Sequence, residues 1–149
     1  FKEFRTGFLL VCNGLSLSLF KPYEIEALVN GSKEAFVNVA LIKENSVYSS
    51  GFHSTDPIVK QFWEIFDEYD DQHKRKLLRF VTGSDRLPCV GSPADFGIHV
   101  SCLGNEDSDR YPIAHTCFNQ LCLYRYNSKE KLKTKLTTAI DECTGFDLK

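Results

Sequence analysis

In Asp56-Pro57-Ile58-Val59-Lys60-Gln61-Phe62-Trp63-Glu64-Ile65-Phe66-Asp67-Glu68-Tyr69, the apolar residues Ile58, Phe62, Ile65, Phe66 and Tyr69 fall at 0, +4, +7, +8 and +11. That is the period of one buried helix face, since a strand would alternate. Asp56 is a capping residue, and Pro57 suits the first helical position, where its missing N–H leaves no bond unmade. Downstream, Asp70 or Asp71 caps a second helix that turns Leu77, Leu78 and Val81 inward and stops at Gly83. The triplet Lys74-Arg75-Lys76 would form its solvated side.

The same period returns late in the chain. Ser128 caps a helix with Leu132, Leu136, Ala139, Ile140 and Cys143 again at 0, +4, +7, +8 and +11, closed by Gly145. Between these helices, Pro88, Gly91 and Pro93 mark a loop. Gly97 to Leu103 then alternates, with Ile98, Val100 and Cys102 on one side, and reads as a strand. A polar connection, Gly104 to Arg110, precedes a second strand between Phe118 and Tyr124. Upstream, Pro22 with Ile25, Leu28 and Val29 predicts a helix from Pro22 to Asn30 ended by Gly31, followed by a weaker helical turn over Glu34 to Ile42. Helices, then strands, then a closing helix make a small α+β domain.

The 149 residues fit one ordinary domain, and 42% hydrophobic content with 12 Phe can fill its core. Eighteen basic against 20 acidic residues leave a net charge of −2, too little to attract a phosphate backbone, so nucleic acid is not expected as a partner. The apolar run Phe8 to Cys12 is five residues, whereas a membrane helix needs about 20, so no membrane span is expected. The chain starts at Phe1 and holds no Met, so it is expected to be a piece of a longer protein. Six cysteines, at 12, 89, 102, 117, 122 and 143, form no Cys-x-x-Cys pair, which points away from a metal site and toward reduced thiols, most of them core filler.

Chemistry concentrates in Tyr111-Pro112-Ile113-Ala114-His115-Thr116-Cys117-Phe118-Asn119. Read as irregular or extended, this segment projects His115 and Cys117 to the same side, and an imidazole beside a thiol favours the nucleophilic thiolate. The spacing alone is a weak signal and better suits a half-buried Cys beside an incidental His. A protease-like triad would need an orienting Asn or Asp, which the sequence does not assign.

The segment Ala114-His115-Thr116-Cys117-Phe118-Asn119 resembles the active-cysteine signature of the HECT family of ubiquitin ligases. Phe62-Trp63-Glu64-Ile65-Phe66 resembles that family's aromatic helix, and Leu77-Leu78-Arg79-Phe80-Val81-Thr82-Gly83-Ser84-Asp85-Arg86-Leu87-Pro88 its helix-to-loop signature. Tyr126-Asn127-Ser128-Lys129-Glu130-Lys131-Leu132 resembles the entry to its last helix, Gly145-Phe146 its tail, and Leu19-Phe20-Lys21-Pro22-Tyr23-Glu24-Ile25-Glu26-Ala27-Leu28 the lead into its inter-lobe hinge. The flavour is that of the E6-associated-protein and RCC1-repeat-containing branches. The chain departs from the pattern at Cys89-Val90-Gly91-Ser92, where a Gly pair is frequent, at Leu123-Tyr124-Arg125-Tyr126, which lacks a turn proline, and at Tyr111, where a Leu is frequent.

The resemblance implies that residues 34–149 are the catalytic C-terminal lobe, packing helices on a short sheet. Residues 31–33 (Gly31, Ser32, Lys33) would be the hinge, and residues 1–30 the end of the N-terminal lobe. Cys117 would accept ubiquitin as a thioester from a ubiquitin-conjugating enzyme, bound by the rest of the N-terminal lobe, and pass it to the lysine of a protein substrate. His115, Thr116, Phe118 and Asn119 would position the thioester, with proton transfer by His115 a lesser role. Phe146 would either dock the two lobes or pack in the core. No cofactor or metal is implied, and the expected setting is the cytoplasm, the nucleus or both. The alternatives are a catalytically weak ubiquitin- or partner-binding module and, further off, a thiol hydrolase using His115 and Cys117.

Overall fold

The computed structural model describes residues 1–12, 15–31, 36–87 and 96–143. Helices α1 (Lys2–Val11), α2 (Leu15–Ser18) and α3 (Pro22–Asn30) come first, then α4 (Val39–Glu44), strand β1 (Val47–Ser49), α5 (Pro57–Glu68) and α6 (Asp71–Thr82). Strands β2 (His99–Cys102) and β3 (Ile113–His115), a 3₁₀ turn (Thr116–Phe118), β4 (Gln120–Leu123) and α7 (Lys129–Cys143) complete the order.

The helix boundaries follow local chemistry. The Asp56 carboxylate accepts from the Ile58 amide at 3.0 Å, and the Asp70 carboxylate accepts from the His73 amide at 2.8 Å. Each satisfies one of the amides orphaned at a helix start. Gly83 closes α6 with φ 81°, a conformation that favours glycine. Ser128 Oγ accepts from the Lys131 amide at 3.2 Å at the head of α7. The helical turn expected over Glu34 to Ile42 is shifted: α4 spans Val39–Glu44, because the Asn38 side chain caps it by accepting from the Leu41 amide. The sequence pattern also missed β1 and β3, each only three residues long and so too short to show alternation.

The sheet runs β1-β2-β4-β3, with β1 and β4 both parallel to β2 and β3 antiparallel to β4. Helix α6 packs against β3, β4 and the 3₁₀ turn, while α7 packs against α5 and α6. The core joins Val100, Leu121 and Leu123 of the sheet to Phe62, Ile65 and Phe66 of α5, Leu77 and Leu78 of α6, and Leu132, Leu136 and Ile140 of α7. Gly97 is required at the entry to β2, since a Cβ there would collide with the Asn45 carbonyl oxygen.

Polar ties register the layers. Trp63 Nε1 donates to the Tyr48 hydroxyl at 3.1 Å, joining α5 to β1 and placing the one tryptophan in the core. Lys129 reaches Glu64 and Glu68 at 2.8 Å each, and Lys133 reaches Glu68 at 2.9 Å, so α7 is latched to α5. The hydrogen bond from Lys129 is the main reason that Glu68 is held down to about 2. Solvent screens these exposed pairs, so they set register more than they add stability. The triplet Lys74-Arg75-Lys76 is half-buried rather than freely solvated: Arg75 pairs with Asp71 at 2.8 Å, and Lys76 with Asp141 of α7 at 2.6 Å.

Helices α1 and α3 bury no residue, and Phe1, Phe4, Val11 and Val29 are exposed. Among the described residues, α3 meets the rest at Arg86, which reaches Glu26 at 3.3 Å, and at buried Gly31, where a Cβ would strike the Leu87 carbonyl oxygen. No helix among the described residues is long and apolar enough to cross a membrane.

Ile140 is fully enclosed between α7 and its neighbours. Ile140→Ala should therefore lower unfolding free energy by about 2–5 kcal/mol, from lost transfer energy plus the cavity left behind. Urea denaturation measures this; a loss below about 1 kcal/mol would contradict the packing.

Candidate functional site

The chemistry-bearing segment is a hairpin tip. β3 pairs with β4 through Ile113↔Cys122, Ala114↔Leu121 and His115↔Gln120, and Thr116–Phe118 turn the chain between them. Asn119 closes the turn in the left-handed region, at φ 48° and ψ 39°. That region costs an L-residue roughly 1–2 kcal/mol, and Asn tolerates it because its short polar side chain can bond locally. Two main-chain bonds hold it: the Asn119 amide donates to the Thr116 carbonyl at 3.3 Å, and the Asn119 carbonyl accepts from the His99 amide of β2 at 2.9 Å. The tip is therefore anchored to the sheet from below.

The extended reading of this segment fails after His115. Thr116–Phe118 fold into a 3₁₀ turn in place of an extended run. His115 enters the turn from extended backbone, at φ −116° and ψ 92°, and among the described residues no hydrogen bond joins it to Cys117. What the turn does is present its side chains outward. His115, Thr116 and Cys117 are exposed, Phe118 is 74% exposed, and Asn119 is half-buried. Tyr111 and Ile113 extend the exposed apolar surface along β3. Thr116 rests beside Gly83 at the end of α6, within ordinary van der Waals reach of a Cβ placed there.

The other described thiols differ. Cys122 is buried and accepts from Ser101 Oγ at 3.1 Å, while Ser101 Oγ also accepts from Gln120 Nε2 at 2.9 Å. Cys102 is half-buried with its thiol donating to the Gly104 carbonyl at 3.1 Å, Cys12 is half-buried, and Cys143 is exposed at the end of α7. All five are free. The expectation that most cysteines fill the core does not hold for the described ones: Cys122 is buried and Cys102 packs partly against the core, whereas Cys12, Cys117 and Cys143 sit at helix ends and on the turn.

Residues 104–112, which lead into β3, form a strap fastened from the α7 side. The Tyr126 hydroxyl donates to the Arg110 carbonyl at 2.9 Å, and the Asn127 amide donates to Asp107 at 3.0 Å. Lys131 reaches Asp107 at 2.8 Å and Asp109 at 3.0 Å, and the Lys135 ammonium lies 4.6 Å over the Tyr111 ring. Burial pushes the Tyr126 phenol well above its usual range, and the Lys131 hydrogen bond draws Asp107 below its own. Sequence reasoning missed these contributors; the signal was the acidic Glu106-Asp107-Ser108-Asp109 facing a lysine-rich helix start at 129–135.

Of the remaining expected site residues, Gly31 is described, with φ 80° at the end of α3. Ser32, Lys33 and Phe146 lie outside the described residues. Among the described residues no group of three or more His, Cys, Asp or Glu is placed to hold a metal ion.

A family model described as HECT-domain (ubiquitin-transferase) matches residues 1–149. The chain is 42% identical over 146 residues to the probable E3 ubiquitin-protein ligase HUL4 of Eremothecium gossypii, covering 98% of this chain and 17% of that protein. It is 37% identical to the probable E3 ubiquitin-protein ligase mug30 of Schizosaccharomyces pombe, covering 100% of this chain and 21% of that one. It is 39% identical to the probable E3 ubiquitin-protein ligase HERC3 of Homo sapiens, covering 99% of this chain and 14% of that one. The chain thus spans about a fifth or less of the length of these relatives.

Exposure orders the thiols by reactivity. Native iodoacetamide labelling should modify Cys117 and Cys143 first and Cys122 at least about tenfold more slowly, since Cys122 must await local opening. Peptide mapping over time reads the order, and equal rates at Cys117 and Cys122 would contradict the site.

Proposed function

The chain belongs to the HECT-domain (ubiquitin-transferase) family, and on that premise we propose that Cys117 carries ubiquitin as a thioester between a ubiquitin-conjugating enzyme and a substrate lysine. The observation that carries this reading is the placement of Cys117, exposed on a turn whose ends are tied into the sheet. A protein tail can reach such a sulfur, and the tied turn limits the geometries it samples.

The Cys117 thiolate attacks the carbonyl carbon of ubiquitin's C-terminal thioester. A new C–S bond forms, the bond to the conjugating enzyme breaks, and that enzyme leaves as a thiolate. One thioester replaces another, so the exchange is close to thermoneutral and depends on access and orientation. A substrate lysine amine then attacks the same carbonyl carbon. The C–S bond to Cys117 breaks, the amine gives up its proton, and a stable amide results. His115, Thr116 and Phe118 are exposed around the sulfur and would orient the thioester or polarise its carbonyl, while Asn119 shapes the turn.

Residues 1–30 fit the end of a larger lobe, because α1 and α3 expose apolar residues that a neighbouring body would cover. Gly31, Ser32 and Lys33 would be the hinge to that lobe, which would receive the conjugating enzyme, and Phe146 would dock the two lobes during lysine transfer. Free thiols suit the reducing cytoplasm or nucleus.

The test is a HECT ligase whose matching segment is replaced by residues 1–149, given charged conjugating enzyme. Wild type should show a ubiquitin adduct that reductant removes; Cys117→Ala should abolish it, and Cys143→Ala should keep it. An adduct that survives Cys117→Ala would place the nucleophile elsewhere. Ubiquitin retained without any adduct would favour the binding module.

A further inference from the structure

The residue that ties the Cys117 turn from below is itself held by a side-chain bond that the proposed chemistry does not use. His99 of β2 donates its amide to the Asn119 carbonyl at 2.9 Å, and its ring Nε2 lies 2.6 Å from Ser49 Oγ of β1. The sheet register puts His99, Gln120 and His115 in one cross-strand row, the row nearest the turn. Ser49 and His99 are both half-buried, so the bond is partly shielded from competing water.

The start of β2 is fixed from the same side by further contacts. The buried Ser46 Oγ accepts from the Ile98 amide at 3.0 Å and donates to the Ile42 carbonyl at 2.6 Å, and the Val47 amide donates to the Ile98 carbonyl at 3.0 Å. Gly97 presses against the Asn45 carbonyl. The segment Asn45–Ser49 therefore forms a buttress whose last member is Ser49. β1 is an edge strand of three residues, with Val47 59% exposed, so it has little ladder of its own to resist sliding. Asn119, in the left-handed region, leans on β2 to keep its conformation.

We propose that Ser49 and His99 are a positioning pair that holds the Cys117 turn in its reactive geometry, acting through the His99 amide on the Asn119 carbonyl. This rests on the reading of Cys117 as the thioester-forming residue. Neither side chain touches the reacting atoms; the pair works by limiting how far Asn119, and with it the turn, can drift. A misplacement of about 1 Å at a reacting group costs up to about a hundredfold in rate, so loosening one tie should cost less than that.

The experiment uses the 149-residue chain as wild type, Ser49→Ala and Ser49→Thr. Amide hydrogen exchange of residues 116–120 is measured alongside the melting temperature and two rates at Cys117, one with ubiquitin bearing a C-terminal electrophile and one with iodoacetamide. In Ser49→Ala, exchange at 116–120 should quicken while the core stays protected, and the ubiquitin-probe rate should fall about three- to tenfold against the iodoacetamide rate. Ser49→Thr, which keeps the hydroxyl, should restore both. A purely structural role would lower the melting temperature and change both rates together. Unchanged exchange at 116–120 in Ser49→Ala overturns the pairing, whatever ubiquitin does. Wild type that reacts with iodoacetamide at Cys117 but captures no ubiquitin probe overturns the thioester reading instead, and the exchange result still decides the pairing.

Discussion

The parallel pairing of β2 with β4 is the constraint from which the candidate site follows. Those strands carry Val100, Leu121 and Leu123, all fully buried, and they form the middle of a four-stranded sheet. A one-residue slip in their register would turn every one of those side chains to the other face, so burial holds the register firmly. The same register places the His99 amide under the Asn119 carbonyl. Core packing thereby sets the position of an exposed turn that has little packing of its own.

Two long-range attachments complete that support. From one side comes the buttress of Ser46, Ser49 and Gly97, which fixes the entry to β2. From the other, Tyr126, Asn127 and Lys131 fasten the strap that feeds β3. The helices contribute more indirectly. α6 ends beside Thr116, and α7, latched to α5 through Lys129 and Lys133, presents the residues that grip the strap. An exposed thiol on a turn tied into the sheet suits the proposed reaction, in which the carbonyl would be brought in from outside and met in a defined orientation.

Much of this was legible in the sequence where the signal is local. Asp56-Pro57, Asp70, Gly83 and Ser128 mark their helix ends because capping depends on residues within one turn, and the face Leu132, Leu136, Ile140 is buried as its period requires. β1 and β3 were not legible, because three residues cannot show a period and their pairing is long-range. The candidate site was drawn from the resemblance of 114–119 to a family signature, and the structure places Thr116–Phe118 on an exposed turn. Spacing alone did not show the turn: it suited an irregular or extended segment, whereas Thr116–Phe118 form a 3₁₀ turn. The Ser49–His99 bond and the strap ties were not legible because they join residues 16 to 50 apart through side-chain bonds that leave no periodic trace.

The most direct measurement is the position of the ubiquitin remnant after brief exposure of a ligase carrying residues 1–149 to charged conjugating enzyme. Trypsin, kept at low enough pH to preserve the thioester, releases Tyr111 to Arg125 as one peptide holding Cys117 and Cys122. Fragmentation assigns the Gly-Gly remnant within it. The account predicts the remnant on Cys117; its appearance on Cys122 or Cys143, with Cys117 bare, would contradict it.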